Sequence, residues 1–474
     1  ITLAGAGAAL DLRAPATDVT LLAGFPGIST RNGSISIDAN RNLTGNGNIA
    51  SNGGDVEINV GFGGIGHFTQ ADGTSVNSAA GHLAVNTTGN FAVASLRSDK
   101  AAGEAIALNV GGALTDSGDT DRDLIANASG RAVVNLNAGS VPVPGPGGLE
   151  TDIRLLNADV LTGDLHLNNA GDLRLETVSA RAGLVDIFAD GNLDVGTVTS
   201  QNAIGPAASR IVLAARGNVL ADNATLNASE IALVSIDASI GAGASKPFTA
   251  DTSTGANLNL VASRNISYRE TSGDVRIENI LADSGDISLT LNGASASIEN
   301  IGAGNDINVN DVNNLAIVRM GGVTIVNILD NPALALVNQP LYGQRIIRSP
   351  EDVRFDAKGA VKITDATIGG SFELRANIID LGLTDPSPDN GLSLFLSGQG
   401  GGLAERVDVR VKTSGALNIK ELRVVRGDIA TTGSQLTLSN ATISENVWFR
   451  QAGTDLYVTN KKTYAGLTDL ADIQ

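Results

Sequence analysis

The strongest constraint on the fold is a short pattern in which Gly, followed by Asp or Asn, precedes alternating apolar residues. It reads "GDVEI" from Gly54, "GDLHL" from Gly163 and "GDLRL" from Gly171. It recurs at Gly89, Gly191, Gly273 and Gly285. Alternation with a period of two over about five residues is typical of a short, half-buried strand. Because Gly tolerates positive φ and Asp or Asn can bond its own backbone, we expect the pair to form the turn before each strand.

The spacing of these strands also repeats. The interval from Leu165 to Val185 recurs almost unchanged between Leu417 and Leu436. A period of this length, with two or three short strands and no helical periodicity, is typical of one coil of a parallel β-helix. Each coil would lie about 4.8 Å above the last, with its inward residues stacked into a continuous core. The sequence therefore predicts an all-β, right-handed parallel β-helix (a solenoid) of roughly 20-residue coils that forms an elongated rod.

Composition agrees with a narrow core made of strands. Of the 474 residues, 42% are apolar and only 3% are aromatic, so small branched side chains supply the buried surface. The net charge of −18 argues against a nucleic-acid partner, which would require a basic face. The chain has no Cys, which excludes disulfides and thiolate metal sites. No apolar run approaches the ~20 residues of a membrane span, so we expect no membrane insertion of this segment.

Proline-rich stretches interrupt the repeat and define a segmental organisation. We interpret residues 1–140, 151–329 and 356–449 as β-helix segments. Residues 141–150 are predicted to form a Pro/Gly loop or hinge, since proline cannot serve a central ladder. Residues 330–355 are predicted to be an irregular insertion, and residues 450–474 a polar tail or cap. The strand-like opening "ITLAGAGAAL" indicates a piece of a longer or processed protein.

A candidate binding motif lies at Arg426, Gly427 and Asp428, the tripeptide that animal integrins bind. In "VVRGDIATTG" it is followed by a strand-like run, as in "SGDI" from Ser284. We therefore interpret it first as another strand entry with a variable residue before it. A turn there would still expose the tripeptide, so receptor binding is kept as the alternative.

Catalytic residues are not predicted. The chain has three histidines, of which His82 and His166 lie within strand repeats and are expected to be surface residues. His67 lies in the glycine-rich stretch "GFGGIGHFTQ", where no nearby Asp or Glu offers the partner of a catalytic base. We therefore expect the protein not to be an enzyme.

One acidic stretch, "DSGDTDRD" from Asp116, is a weak candidate for calcium. The alternating carboxylates of Asp119, Asp121 and Asp123 could ligate a hard cation. An EF-hand loop would also need Gly at its sixth position and Glu at its twelfth, and counting from Asp119 the chain has Leu and Gly there. The first interpretation is therefore a solvated acidic turn with no metal, and calcium is the alternative. No other cofactor is predicted.

Tandem coils built on G[DN][LIV]x[LIV], with many Asn, Ala and Thr and no Cys, resemble the stalks of filamentous-haemagglutinin-like exoproteins. These are large, repetitive bacterial adhesins exported by two-partner secretion, some of which act in the biofilm matrix. The resemblance runs roughly from Ile35 to Phe449. The Asn-Pro-Asn motifs usual in the family's secretion domain are missing, since the only Asn-Pro pair is Asn331 with Pro332. The chain therefore resembles either a divergent secretion domain or the interior of a stalk.

The resemblance implies a secreted, rod-like adhesin at the bacterial cell surface. Its expected partners are exopolysaccharide or other cell-surface ligands, further copies of itself, and an outer-membrane secretion partner. Cell–cell or cell–matrix adhesion in a biofilm is the function this implies. Two alternatives on the same scaffold are a polysaccharide lyase or hydrolase, and an autotransporter passenger or phage tail-spike segment.

Overall fold

The structure is a computed structural model. It describes residues 1–320 except 119–120, 127–130, 143–148 and 202–208, and beyond residue 320 it describes short segments between residues 324 and 467. Every regular element within these residues is a β-strand. The described part of the chain therefore holds no helix with the length and apolarity that crossing a membrane requires.

The chain divides into two compact units, Ile1–Glu230 and Ile231–Gln474. The strands of the first unit are β1 Thr2–Ala6, β2 Leu10–Ala14, β3 Val19–Leu21, β4 Ile28–Arg31, β5 Ile35–Ala39, β6 Leu43–Gly45, β7 Ile49–Ala50, β8 Val56–Val60, β9 Phe68–Gln70, β10 Val76–Asn77, β11 Leu83–Thr87, β12 Phe91–Val93, β13 Leu96–Arg97, β14 Ala102–Asp116, β15 Leu124–Ala126, β16 Arg131–Ser140, β17 Glu150–Ile153, β18 Leu155–Val160, β19 Leu165–Asn169, β20 Leu173–Ala180, β21 Val185–Ala189, β22 Leu193–Ser200, β23 Arg210–Ala215, β24 Val219–Leu220 and β25 Ala224–Asn227. The next strand, β26 Glu230–Ser235, begins at the boundary.

The strands of the second unit are β27 Phe248–Thr252, β28 Asn257–Ala262, β29 Ile266–Glu270, β30 Val275–Ala282, β31 Ile287–Thr290, β32 Ala296–Ala303, β33 Ile307–Val312, β34 Leu315–Met320, β35 Thr324–Ile325, β36 Arg345–Ile346, β37 Val353–Ala357, β38 Ala360–Ala366, β39 Ser371–Arg375, β40 Ile378–Leu383, β41 Leu392–Ser397, β42 Asp408–Thr413, β43 Leu417–Thr431, β44 Leu436–Gln451, β45 Thr454–Thr459 and β46 Lys462–Leu467.

In the first unit the strands stack into parallel columns. The longest column contains β2, β5, β8, β11, β14, β16, β18, β20, β22 and β25. A second contains β3, β6, β9, β12 and the end of β14. A third contains β1, β4, β7, β10, β13, β15 and β17. The third column continues through β19, β21 and β23.

In the second unit two parallel columns run side by side. One contains β27, β29, β31, β33, β37, β39, β41 and the start of β43. The other contains β28, β30, β32, β34, β38, β40, β42 and the end of β43. The predicted all-β parallel β-helix is confirmed, with about 13 turns among the described residues. The right hand of the coils stays a prediction, which the strong preference for right-handed parallel crossovers favours.

The core forms because inward residues of successive coils lie in register. Ile35 and Ile37 of β5 pair with Val56 and Ile58 of β8, and all four side chains are at most 1% exposed. Matching residues of adjacent coils stack face to face, as in the rings of Phe68 and Phe91, whose centroids are 4.5 Å apart. The residues between these inward positions face outward, as period-two alternation requires.

The coil length varies more than the sequence predicted. The expected spacing holds in the register for two of the predicted pairs, Leu165–Val185 and Leu417–Leu436. The coils are nevertheless roughly 22 residues long. Val56, for example, pairs with Leu83, at a longer interval than either of those pairs. The added residues lie in the turns, because the strands must keep their register to bury the core.

The glycines of the repeated motif have a different role from the one predicted. A strand begins two residues after each of them, as expected. However, among the seven only Gly273 has a positive φ, of 80°. A Cβ on Gly54 would lie 2.4 Å from the carbonyl oxygen of Gly33 on the preceding coil. Positive φ is therefore the wrong reason for most of these glycines, and close stacking of successive corners is the reason at positions such as Gly54.

The Asp or Asn of the motif connects one coil to the next. Asp172 Oδ1 accepts a hydrogen bond from Asn192 N at 2.8 Å, and Asn192 Oδ1 accepts one from Asn218 N at 2.8 Å. The same bond joins Asp55 to His82, Asp164 to Leu184, Asn265 to Asp286 and Asp274 to Ser295. These side chains thus bond the backbone of the following coil at its turn, where the strand ladder itself is interrupted.

The predicted hinge at 141–150 does not interrupt the ladder of the first unit. Residues 143–148 lie outside the described residues. On either side of them β16 pairs with β18 in register, and Val141 forms a parallel bridge with Leu165. As a division of the chain, the predicted segment boundaries stay a prediction.

The predicted insertion at 330–355 lies largely outside the described residues. Both columns continue across this stretch, since β33 pairs with β37 and β34 with β38. Between β34 and β37, the short strands β35 and β36 pair antiparallel. In the tail, β45 and β46 pair antiparallel with β44, so the last coil is followed by strands of the opposite direction.

Candidate functional site

A groove lies at one corner of the first unit, where turns of unequal length stack on one another. Val76 pairs with Ile49 on the preceding coil and with Leu96 on the following coil. Leu96 in turn pairs with Leu124. The interval from Val76 to Leu96 is the shortest of the three, so fewer residues lead into Leu96 than into Val76 or Leu124. The groove lies at this corner, where Ala94 and Ser95 form part of its lining.

The volume of this corner groove is about 470 Å³. Its lining consists of Gly73, Thr74, Ser75, Ala94, Ser95, Asp121, Arg122 and Ile125. The buried side chain of Gln70 holds the floor, since its Oε1 accepts from Ala94 N and its Nε2 donates to the carbonyl oxygen of Ser95. Arg122 is anchored by an ion pair of 2.6 Å to Asp152. The groove thus has a rigid floor and a charged wall.

Three carboxylates meet close to Asp121 and Arg122 of the groove. Asp116 ends β14, Asp123 precedes β15 and Glu150 begins β17, and one oxygen of each lies within 4.8 Å of the others. Asp123 is fully buried, and its Oδ2 accepts from Glu150 N at 2.9 Å. Asp116 Oδ1 accepts from Gly118 N, while its Oδ2 is buried with no hydrogen-bond donor among the described residues. Clustered carboxylate oxygens are the donor type that hard cations such as Ca²⁺ prefer.

The structure only partly reproduces the acidic site that the sequence predicted. Asp123 belongs to the cluster, Asp121 instead lines the groove, and Asp119 lies outside the described residues. Glu150 was missed because it lies on the next coil, far along the chain from the acidic stretch. The coil period could have predicted this neighbour, because residues one coil apart lie side by side. Asp123 N donates a hydrogen bond to the carbonyl oxygen of Glu150 in the ladder. Calcium binding at this cluster stays a prediction.

No known protein family, curated protein or solved structure matches this chain. The resemblance to filamentous-haemagglutinin-like exoproteins therefore remains a prediction from the repeat.

The prediction that His166 is a surface residue is wrong. Its side chain is 2% exposed, because both faces of β19 are covered and Leu165 and Leu167 are buried beside it. The carboxylates of Asp164 and Asp186 lie 3.8 and 3.4 Å from its ring nitrogens. Burial lowers the pKa of His166, but the two carboxylates outweigh this and raise the pKa to about 9. The group is thus a buried ion cluster with a structural role.

The other two histidines also have structural contacts. His82 is half-buried, and its Nε2 lies 2.9 Å from Glu104 Oε1. His67 is exposed, and its Nδ1 accepts a hydrogen bond from Asn90 N at 3.0 Å. That bond continues a column of coil-to-coil contacts, since His67 N itself donates to Asn42 Oδ1.

A second buried carboxylate, Glu270, lies in the second unit. It accepts hydrogen bonds from the Tyr268 hydroxyl, from Thr252 N at 2.9 Å and from Thr252 Oγ1 at 2.8 Å. Burial raises the pKa of both Glu270 and Tyr268. The ring of Tyr268 stacks on Phe248, with 6.2 Å between centroids. The three donors thus offset part of the cost of burying this carboxylate in the core.

Strand β43 contains the tripeptide Arg426, Gly427 and Asp428. The sequence had predicted a turn before a strand at these residues. Arg426 pairs with Asp408 on one side and with Asn446 on the other. Gly427 and Asp428 likewise have ladder partners on both sides. The expectation of an exposed turn is therefore wrong for the backbone. Receptor binding by these residues stays a prediction.

Proposed function

We propose that this chain is part of the stalk of a secreted bacterial adhesin, of the filamentous-haemagglutinin-like, biofilm-matrix type, that mediates cell–cell or cell–matrix adhesion. The observation that supports the proposal is the stacking of coil on coil in both units, in parallel register and with repeated Asp and Asn connectors. Stacked repeats of this kind hold binding surfaces at fixed intervals, which is what a spacer between surfaces requires.

The proposed function does not include catalysis. Cleavage of a polysaccharide on a β-helix would require carboxylates beside a groove with aromatic side chains that stack on sugars. Among the described residues that line the corner groove, none is aromatic. The fully buried Asp123 is shielded from solvent, and the described contacts of His82 and His166 join neighbouring parts of the coils.

The location and partners of the protein belong to the same proposal. The protein would be extracellular, at the bacterial cell surface, and an outer-membrane partner would export it. Its ligands would be exopolysaccharide or other surface molecules, and further copies of the chain could associate with it. A chain without cysteines forms no disulfides that would hinder export of the unfolded chain across the outer membrane.

The test is aggregation of cells that carry the protein. Deletion of the gene should abolish aggregation, and the purified chain added from outside should inhibit it by competing for ligand. Aggregation unchanged in the deletion strain would reject the adhesin. Release of unsaturated sugars from acidic polysaccharides would favour the lyase instead, and a stable trimer in solution would favour the tail spike.

Asp428→Ala should leave aggregation unchanged, whereas loss of host-cell attachment in this variant would support receptor binding.

A further inference from the structure

The longest column of the first unit presents two parallel rows of outward side chains on one sheet face. Ladder pairing links each member of a row to the next from β5 to β25. One row is Ser36, Glu57, Ala84, Ala107, Asn135, Asn157, Thr177, Thr197 and Thr225. The other is Asp38, Asn59, Asn86, Asn109, Asn137, Asp159, Ser179, Thr199 and Asn227. All are half-buried or exposed, and we call this surface the amide–hydroxyl face.

Hydrogen bonds between neighbouring coils fix the asparagines of this face. Asn86 Nδ2 donates to Asn59 Oδ1 at 2.8 Å, Asn109 Nδ2 to Asn86 Oδ1 at 2.7 Å, and Asn137 Nδ2 to Asn109 Oδ1 at 2.8 Å. An amide has two N–H donors and two carbonyl lone pairs. Asn86 and Asn109 each use one N–H and one carbonyl lone pair in this ladder. Each therefore has one further N–H and one further lone pair for a ligand, and the ladder already fixes the position of the side chain.

The chemistry of the face is polar and mostly uncharged. Most of its side chains carry an amide or a hydroxyl, and none is basic or aromatic. The exceptions are the acidic Asp38, Glu57 and Asp159, and the apolar Ala84 and Ala107. Two arginines adjoin the rows, but Arg13 forms ion pairs with Asp11 and Asp38, and Arg181 forms one with Asp159. The rows themselves therefore offer a polyanion no basic side chain, and their acidic residues would repel it. A protein partner would find no apolar anchor of the kind that dominates protein interfaces.

We propose that the amide–hydroxyl face binds a neutral polysaccharide chain that lies along the stack of coils. The inference rests on the proposed function and names the ligand class and the surface. Sugar hydroxyls both donate and accept, as the Asn, Ser and Thr side chains do. Because the ladder holds the amides in place beforehand, binding costs little side-chain entropy.

The spacing of the face selects a repetitive ligand. Successive rungs lie about 4.8 Å apart, and the two rows are separated by roughly 6.6 Å along each strand. A single hydrogen bond contributes only about 0.5–1.5 kcal/mol net, so a monosaccharide should bind weakly. A polymer contacts many rungs at once, and its affinity grows by avidity.

The experiment replaces three threonines on consecutive rungs, in the variant Thr177→Arg/Thr197→Arg/Thr225→Arg of the full chain. Long charged side chains at these outward positions would cover the face without entering the core. The matched control Thr44→Arg/Thr69→Arg/Thr115→Arg adds the same charge at outward strand positions of the second column. Circular dichroism checks that both variants fold.

Binding is measured by affinity electrophoresis with laminarin and galactomannan as neutral probes and alginate as the acidic probe. We expect the wild type to bind a neutral probe at both low and high salt, and the face variant to lose about tenfold or more in affinity. The control should stay within about twofold of the wild type. Equal losses in both variants, preference for alginate, or no binding to either neutral probe would overturn the inference. If the deletion strain fails to aggregate while the face variant restores aggregation, the adhesin function stands and the assigned surface is wrong.

Discussion

His166 Nδ1 lies 3.4 Å from the Oδ2 atom of Asp186, its ladder partner on the next coil. Both side chains are buried, and Asp164 approaches the other ring nitrogen. A buried histidine flanked by two carboxylates is more stable protonated than neutral. The interaction with His166 correspondingly lowers the pKa of Asp164.

This cluster predicts a loss of stability at alkaline pH. The folded pKa of His166, about 9, lies above its ordinary value of 6.5, so its stabilisation is complete below about pH 6.5 and is lost as the pH rises through 9. A shift of this size corresponds to about 3 kcal/mol. Urea unfolding at pH 6, 7.5 and 9.5 measures the effect.

The variant His166→Gln should unfold at lower urea than the wild type at pH 6 and lose this part of the pH dependence. His82→Gln, which removes a half-buried histidine elsewhere in the unit, is the control and should keep it. Parallel pH profiles for the wild type and His166→Gln would contradict the prediction.

Two glycines of the same sequence motif are expected to respond differently to alanine. A Cβ at Gly54 would lie 2.4 Å from the Gly33 carbonyl oxygen, whereas a Cβ at Gly171 would meet no atom within 4 Å. Neither has a positive φ. Gly54→Ala should therefore destabilise the fold by about 1–3 kcal/mol, because successive coils must move apart. Gly171→Ala should be neutral or stabilise by up to about 1 kcal/mol, through the unfolded chain.

Chemical denaturation of both variants provides the measurement. Equal destabilisation by the two substitutions would indicate that the motif glycine acts through backbone conformation, as the sequence interpretation assumed, and that inter-coil contact is not its reason.

The fold could be predicted because the coil repeats locally. Alternation such as that from Val56 to Val60 predicts a strand, and the recurrence of Leu165 at Val185 predicts its neighbour in the ladder. The exact coil length could not be predicted from the sequence, because turn lengths change from coil to coil without disturbing the strands. The pairing of Val56 with Leu83 is an example.

The candidate site was harder to predict because stacking assembles it. Glu150 joins Asp123 only through the ladder, and no local motif contains both. The burial of His166 could not be read either, since alternation alone assigns it to the outer face of β19. The role of the motif glycine depends on which atom lies in the preceding coil, as the contrast between Gly54 and Gly171 demonstrates.

The carboxylate cluster is expected to destabilise the protein when no cation is bound. Three acids within 4.8 Å repel one another, so removing one charge should relieve the repulsion. Asp116→Asn should raise the free energy of unfolding in EDTA by on the order of 1 kcal/mol. The exposed residue Asp222 provides the control variant Asp222→Asn, which should leave it unchanged.

A calcium titration of the same proteins tests the sequence-based calcium prediction. A rise in the thermal midpoint of the wild type and of Asp222→Asn, with a smaller rise in Asp116→Asn, would support it. Identical midpoints with calcium and with EDTA in all three proteins would reject calcium at this cluster.

The Asp of the motif is expected to tolerate Asn and not Ala. Asp274 Oδ1 accepts a hydrogen bond from Ser295 N at 2.9 Å, joining one coil to the next at the turn where the ladder is interrupted. An Asn side chain offers a carbonyl oxygen at the same position, which explains why the repeat alternates between Asp and Asn. Asp274→Asn should therefore unfold like the wild type, while Asp274→Ala should lose about 0.5–1.5 kcal/mol. Amide hydrogen exchange at Ser295 is the local readout, since its N–H should lose protection in the Ala variant alone. Equal exchange rates at Ser295 in the Ala and Asn variants would mean that the side chain does not connect the coils.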